Sequence, residues 1–375
     1  MSVYEPERFI KYFSSCDDIK KIVTESFPAI FGIIWEAKEN IFVEKMSQGL
    51  SNSAFIVKNT AKTFGFKEVC PPELVFRINN NESLIDRGYE SKIIKFLGDV
   101  NIAAKVVAAY KNAVCYEFNP GKTITVDQLR SIEFIPILAD MLAKFHTIPA
   151  ETLDSFEIKC CPNDPKTLEF SGEYFHKISC MNEPVLPKSW SEFNFEELLS
   201  LDFLKANFKF QSKVNSRMTL CHHDLCVGNI ILSPSKNKSS LIDFEFTGPG
   251  FAAFDIANLF TGFTGKTEID FVKHYPEEKY RKMFFRDYLA RKFFYDDYLQ
   301  ESDVDFEQEI DFLNGDVQKS CIYDDLLWAF WAVYTFNAGS DKGFDFIGYA
   351  EARFRHLIGI LKEVGISEKV WSSNQ

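Results

Sequence analysis

One stretch of this 375-residue chain restricts its fold more than any other: residues 219–259, TLCHHDLCVGNIILSPSKNKSSLIDFEFTGPGFAAFDIANL. Two short apolar runs, 229–232 and 240–244, flank a polar tip of Ser, Pro, Lys and Asn. Apolar runs broken by such a tip are the pattern of a β-hairpin. His222, Asp224 and Asn229 stand at the entry to the first run, and Asp243 closes the second. A hairpin folds the chain back on itself, so Asp243 returns beside Asn229 and three oxygen-bearing side chains converge.

That convergence suits phosphoryl transfer. Moving a γ-phosphoryl group needs hard oxygen ligands for Mg²⁺ and a carboxylate that orients and deprotonates the nucleophile. Asp224 and Asn229 have the five-residue spacing of the base and metal ligand in a kinase catalytic loop, and an Asp-Phe pair follows one hairpin later. A single motif of this kind would fit a capped turn and a strand end equally well. Two in this order, separated by a hairpin, favour the catalytic reading.

The length of 375 residues suffices for a large core and predicts two lobes or domains. Hydrophobic residues make up 46% and aromatic residues 15%, which excludes a disordered chain. A formal charge of −12 argues against a general nucleic-acid binder and mildly favours cationic substrates. The opening MSVYEPERFIKYF lacks the apolar core of a signal peptide, and the apolar run 27–35 is far too short to span a membrane. Nine cysteines without a secretory signal read as reduced thiols in the cytosol. Cys160, Cys161, His176 and Cys180 lack a C-x-x-C spacing and make a poor zinc set.

Ahead of the central stretch, residues 16–34 read as a helix capped by Asp17 or Asp18. Strands at 41–46 and 54–58 are joined by the small, hydroxyl-rich turn 47–53, in which Ser51 and Asn52 are positioned to face phosphates. Residues 73–79 (ELVFRIN) form a strand that contains Arg77, where a kinase keeps its nucleotide-binding cation. A helix over 84–97 carries Glu90, a candidate partner for Arg77. After strands at 104–110 and 113–118, Asn119-Pro120-Gly121 breaks the pattern as a hinge. Glu117 and Asn119 are nucleotide-binding candidates there by position.

Residues 126–146 have helical periodicity, with Pro136 predicting a kink or a late start. His146 at its end reads as a capping or core histidine. Residues 150–190 predict an irregular connection with one short helix, and a single helix follows to about residue 209. Asp255 stands where a helix N-cap is expected, and bracing of the catalytic loop is the second role open to it. The last third is helical over 277–294, 316–336 and from 346 onward, and Trp328 and Trp331 share one helix face.

With CHHDLCVGN, then LIDFEF, then FDIANLF twelve residues after Asp243, the chain resembles the choline/ethanolamine kinase family. QGLSN, VFRI, IDRGYES, YEFNPG, LLWAFWAVY and GYAEARF extend the likeness over most of its length. The resemblance implies an α+β, two-lobe protein-kinase-like fold. Residues 1–118 would be a nucleotide-binding lobe with an antiparallel sheet, and 119–375 a larger, mostly helical catalytic lobe. ATP and Mg²⁺ would be co-substrate and cofactor, and a small amino alcohol the acceptor. Asp224 would be the base, and Asn229 and Asp243 would hold Mg²⁺, with Glu245 behind them or on a second metal. Arg77 would contact the nucleotide phosphates. Trp328, Trp331, Phe344 and Tyr349 would line an ammonium pocket, where ring faces each contribute roughly 0.5 to 2 kcal/mol.

The chain departs from the family at three places. His223 replaces a residue that is mostly Asn or another small polar one, Cys226 replaces a frequent Gln, and Gly262 stands where a pocket Glu is expected. Aromatics kept while a carboxylate is lost favour choline over ethanolamine. A kinase with an amino-sugar or aminoglycoside acceptor is the second reading and predicts an acidic pocket without rings. A kinase-like binding module is the third, disfavoured because Asp224, Asn229 and Asp243 are all present. The sequence leaves a homodimer open.

Overall fold

Strand patterning in the first third of the chain explains its sheet. Ser53, Phe55, Val57 and Asn59 are buried while Ala54, Ile56 and Lys58 between them are partly exposed, the two-residue period of a half-covered strand. From Leu74 to Asn79 every residue is buried, as in a strand with neighbours on both edges and cover on both faces. The computed structural model describes residues 3–5, 10, 14–46, 52–61, 73–79, 85–156, 165–235, 237–265, 269–296, 304–339 and 343–366. They gather into two compact units, Met1–Gly121 and Lys122–Gln375.

The first unit holds β1 (Val3–Glu5), β2 (Ile41–Lys45), β3 (Asn52–Asn59), β4 (Glu73–Asn79), β5 (Val106–Tyr110) and β6 (Ala113–Glu117). They form one sheet in the order β1-β5-β6-β4-β3-β2, antiparallel except between β1 and β5. Three helices accompany them: α1 (Cys16–Ser26), α2 (Pro28–Phe31) and α3 (Arg87–Asp99). Ile19, Val23, Phe27 and Trp35 join Phe55, Val57, Phe76 and Tyr110 in one apolar core.

The cap of α1 corrects the expectation for its start. Ser15 is the N-cap, accepting from the Asp18 N–H, while the Asp18 carboxylate returns to the Ser15 N–H at 2.7 Å. This reciprocal box satisfies two helix-end donors, which neither aspartate does alone.

The second unit is mostly helical. Its strands are β7 (Lys122–Thr123), β8 (Thr219–Cys221), β9 (Ile230–Leu232), β10 (Ser239–Leu241) and β11 (Gly248–Gly250). Its helices are α4 (Val126–Arg130), α5 (Ile135–Phe145), α6 (Lys166–Ser179), α7 (Phe195–Leu198), α8 (Leu201–Asn207), α9 (Ala252–Thr261), α10 (Phe271–His274), α11 (Glu278–Tyr295), α12 (Phe306–Asn337) and α13 (Phe346–Glu363). Residues 320–330 of α12 are buried without interruption, because α6, α9 and α13 all pack on it. Helices α5 and α11 pair beside them.

Several boundaries differ from expectation, each for a local reason. Pro136 occupies the first turn of α5, where its missing N–H costs nothing, so the helix starts late. The single helix expected up to residue 209 is two, since the Ser200 hydroxyl accepts from the Phe203 N–H at 3.0 Å and restarts the chain as α8. Helix α6 has 14 residues where a short one is expected, and α12 begins at Phe306 instead of 316. Asp255 is no N-cap: Phe251 holds that position, and Asp255 lies in the first turn of α9. Among the described residues, no helix is long and apolar enough to cross a membrane.

Candidate active site

The hairpin forms as the sequence predicts. Strands β9 and β10 pair antiparallel with Leu232 opposite Ser239 and Ile230 opposite Leu241. One step further, the Ile242 N–H donates to the Asn229 carbonyl at 3.0 Å, which brings Asp243 back beside Asn229. The Asn229 amide in turn donates to the Asp224 carboxylate at 2.7 Å and to the Asp224 carbonyl at 2.9 Å. With its amide hydrogens committed to Asp224, Asn229 can offer a cation only its oxygen.

The loop ahead of Asp224 is held by a buried carboxylate. Asp255 accepts the backbone N–H of His222 at 2.7 Å and that of His223 at 2.8 Å. Its third partner is the Nε2 of His146, at 3.1 Å. Burial alone would raise the Asp255 carboxyl, but the His146 hydrogen bond and the neighbouring histidines outweigh it and lower it to about 2. His146 caps α5, and its Nδ1 accepts from the Tyr288 hydroxyl of α11 at 2.8 Å. The histidine expected to cap or fill a core does both, and it also holds Asp255. Burial pushes the His146, His222 and His223 rings below their ordinary pKa.

His222 joins the two ends of the hairpin. Its Nδ1 accepts from the Asp224 N–H at 3.3 Å, and its Nε2 donates to the Ile242 carbonyl at 3.0 Å. His223 and Asp243 both adopt left-handed backbone, with φ of 63° and 65°. Two such non-glycine residues on either side of one hairpin are uncommon in ordinary turns and typical of functional loops. Glu245, two residues past Asp243, is buried.

In the first unit, β4 places the buried Arg77 opposite Ala54 and Val114, and its guanidinium pairs with Glu90 of α3. Arg87 donates to the same carboxylate at 2.7 Å. Burial would raise the Glu90 carboxyl; Arg77 and Arg87 overcome that and hold it below the usual range. The expected Arg77–Glu90 pair is thus present. Glu117 ends β6, its N–H donating to the Lys105 carbonyl at 3.0 Å, and Asn119 is half-buried just beyond. Asn52 opens β3, while Ser51 and the turn before it lie outside the described residues, as do Cys160 and Cys161.

The four candidate pocket aromatics fall into one ring cluster of the second unit. Trp328 and Trp331 meet edge to face at 5.5 Å, Trp331 touches Phe346 at 5.7 Å, and Phe344 lies 5.0 Å from Phe346 and 5.6 Å from Tyr349. Trp328 is buried and Trp331 half-buried, so the cluster is part core and part wall. Beneath it, the Arg353 guanidinium donates to the Tyr349 hydroxyl at 2.8 Å and to Asp324 at 2.6 Å. Burial, partly offset by Arg353, leaves the Tyr349 phenol pushed up to about 12.

Asn258 escapes sequence reading. Its Oδ1 accepts from the Leu225 N–H and its Nδ2 donates to Asp324 at 2.6 Å, which ties the loop after Asp224 to α12. The signal was available: Asp255 and Asn258 lie three apart in FDIAN and so share one face of α9. Gly262, where a pocket Glu is expected, ends α9, and among the described residues a Cβ there would approach only the Leu225 carbonyl at 3.7 Å and Leu129 at 3.8 Å.

Comparisons with known proteins converge on one family. The family described as choline/ethanolamine kinase matches residues 43–358. The ethanolamine kinase of Drosophila melanogaster is 27% identical over 287 residues, covering 75% of this chain and 52% of that protein, so the chain spans about half its length. Ethanolamine kinase 1 of Mus musculus is 28% identical over 288 residues, covering 76% of each. Among solved structures, a choline kinase from Cryptosporidium parvum superposes with a TM-score of 0.70 at 21% identity, covering 93% of this chain and 96% of that one. The α+β, protein-kinase-like fold is therefore that of this chain.

Proposed function

The chain belongs to the choline/ethanolamine kinase family, and we propose that it transfers the γ-phosphoryl group of ATP to the hydroxyl of choline or ethanolamine. One observation carries the reading: the Asn229 amide holds the Asp224 carboxylate at 2.7 Å while the Ile242–Asn229 bond brings Asp243 alongside. Asp224 orients the acceptor hydroxyl and takes its proton. Asn229 and Asp243, with Glu245 behind them, present only oxygen donors, the set that Mg²⁺ prefers over softer metals. Bound there, Mg²⁺ would neutralise charge on the phosphates. Arg77, fixed by Glu90, supplies the nucleotide-facing cation of the first unit. Ser51 and Asn52 stay the candidates for the phosphates by sequence position, and Glu117 and Asn119 those for the base.

Trp328, Trp331, Phe344 and Tyr349 receive the ammonium end of the acceptor. A quaternary ammonium has no hydrogen to donate, so ring faces are its best dry partners. The cluster supports choline, ethanolamine is the acceptor named for the two curated relatives, and both belong to this reading. An amino sugar is less well supported, since the candidate pocket is lined by rings and the carboxylates of Asp324 and Asp325 beneath it are bound by Arg353. Nine cysteines suit a cytosolic site of action.

Incubation with Mg-ATP and a panel of choline, ethanolamine, amino sugars and aminoglycosides tests the assignment. Phosphorylation of choline or ethanolamine that stops on addition of a chelator is the expected result. Turnover of amino sugars alone, or of nothing on the panel, would discard it.

A further inference from the structure

His223 gives its backbone N–H to the loop-holding Asp255, and its imidazole reaches the backbone of Phe246. It is 2% exposed, and a carbonyl can only accept, so the Nδ1 lying 3.1 Å from the Phe246 carbonyl carries the hydrogen. The other nitrogen, Nε2, is then a lone pair, and it has no hydrogen-bond partner among the described residues. It packs instead on β11: a Cβ added to Gly250 would lie 2.7 Å from Nε2 and 3.1 Å from the Cys221 sulfur. The ring is wedged, bonded on one side and blocked on the other.

What the bond holds is Phe246. Its buried ring lies 5.3 Å from Trp328 and 5.0 Å from Phe170, and Trp328 meets Trp331 at 5.5 Å. From Asp224 to the aromatic cluster the path therefore runs through one peptide bond, one hydrogen bond and two ring contacts, all within the second unit.

We propose that His223 is a positioning residue that fixes the aromatic wall of the acceptor site by tying the Phe246 backbone to the loop bearing Asp224. The proposal rests on the functional reading above, with Asp224 as base and Trp328 and Trp331 as ammonium-facing rings. Asp255 cannot do this work, because it binds backbone N–H groups and does not reach Phe246. An asparagine at 223 could: its Nδ2 branches from the same carbon position as the histidine Nδ1 and donates in the same direction, but the side chain ends short of Gly250. A leucine fills the space and has no donor.

Three enzymes, the wild type, His223→Leu and His223→Asn, are compared with ATP and the preferred amino alcohol varied in turn. His223→Leu is expected to raise the amino-alcohol KM at least about tenfold while the ATP KM stays within about twofold, with His223→Asn recovering most of the loss. An acceptor KM within about twofold of wild type, a common rise in both KM values, or no recovery by asparagine overturns the proposal. If His223→Leu fails to fold, Phe246→Leu replaces it, since it keeps the carbonyl and replaces the ring against Trp328 with a shorter aliphatic side chain; the same KM split is expected and its absence is equally decisive.

A second measurement needs no turnover. Gly250→Ala should lower the thermal midpoint at least about twice as much with His223 present as in the His223→Asn background, because the imidazole at 2.7 Å is the one contact shorter than 3.0 Å that the new Cβ would meet, the Cys221 sulfur lying at 3.1 Å. Equal losses overturn the wedge. A wild type that phosphorylates no amino alcohol defeats the functional reading instead, and the midpoint comparison still reports on His223.

Discussion

The loop around Asp224 and the ring cluster around Trp331 lie in the same unit and are built by opposite means. Around the loop, buried polar groups are mostly paired, though the His223 Nε2 has no partner among the described residues: Asp255 alone takes hydrogen bonds from His222, His223 and His146. Around the rings, contact is apolar and less exacting, with centroids 5.0 to 5.7 Å apart and the buried Trp328 Nε1 lacking a hydrogen-bond partner among the described residues. Hydrogen bonds fix direction, which proton transfer requires; ring packing fixes volume, which recognition of a small cation requires. The two should therefore fail differently when cut.

The largest effect is expected at the reacting end. Asp224→Ala should lower kcat by at least ~10²-fold with nucleotide binding nearly unchanged, since general-base removal typically costs this much. Pre-steady-state kinetics and nucleotide titration would check both halves, and a loss below about tenfold would deny Asp224 the role of base. Next comes the brace. Asp255→Ala strands the buried N–H groups of His222 and His223, at about 1 to 3 kcal/mol each. Denaturant melts should show that loss together with reduced kcat, whereas a variant of unchanged stability would mean the loop holds itself.

Trp331→Ala should act on recognition only, raising the amino-alcohol KM about tenfold and the ATP KM little. An equal rise in both would make Trp331 a core residue. The smallest effect concerns pH. His146, His222 and His223 have folded pKa values below the unfolded one, so between those values the unfolded chain binds more protons. Stability is thus full above the unfolded value of about 6.5 and falls as pH drops below it, by at most ~1.4 kcal/mol per pH unit for each ring. Glu309 and Asp316, raised by burial, oppose this at lower pH. The thermal midpoint of wild type should decline from pH 7 to pH 5, and His146→Gln should flatten that slope; parallel profiles would refute the assignment.

Much of the loop was legible because its signals are local. The hairpin announces itself by two apolar runs and a polar tip, β4 by the apolar residues Leu74, Val75, Phe76 and Ile78 around Arg77, and the late start of α5 by Pro136. Bracing of the loop by Asp255 was legible as an open role, but its partner was not, since His146 and Asp255 are 109 residues apart and nothing in either segment names the other. Asp255 also mimics an N-cap in sequence, and only the helix start at Ala252 shows that its carboxylate is free to bind elsewhere. The early start of α12 hides for another reason: Glu307, Gln308, Glu309, Asp311, Asn314 and Gly315 blur the helical period until tertiary packing imposes it. Ring contacts were readable as a shared helix face for the Trp pair, but Phe344 and Tyr349 came only with the family resemblance.

Left-handed backbone at His223 and Asp243 has a consequence for how this segment can change length. A slide of one residue along the hairpin would carry Ile242 or Phe244 into a conformation that bulky and β-branched side chains resist strongly. Register is locked at both ends, so insertions and deletions must be absorbed at the solvent-facing bend near Pro234 and Ser235. A short epitope spliced there should leave turnover intact, and the same residues added beside Asp243 should abolish it.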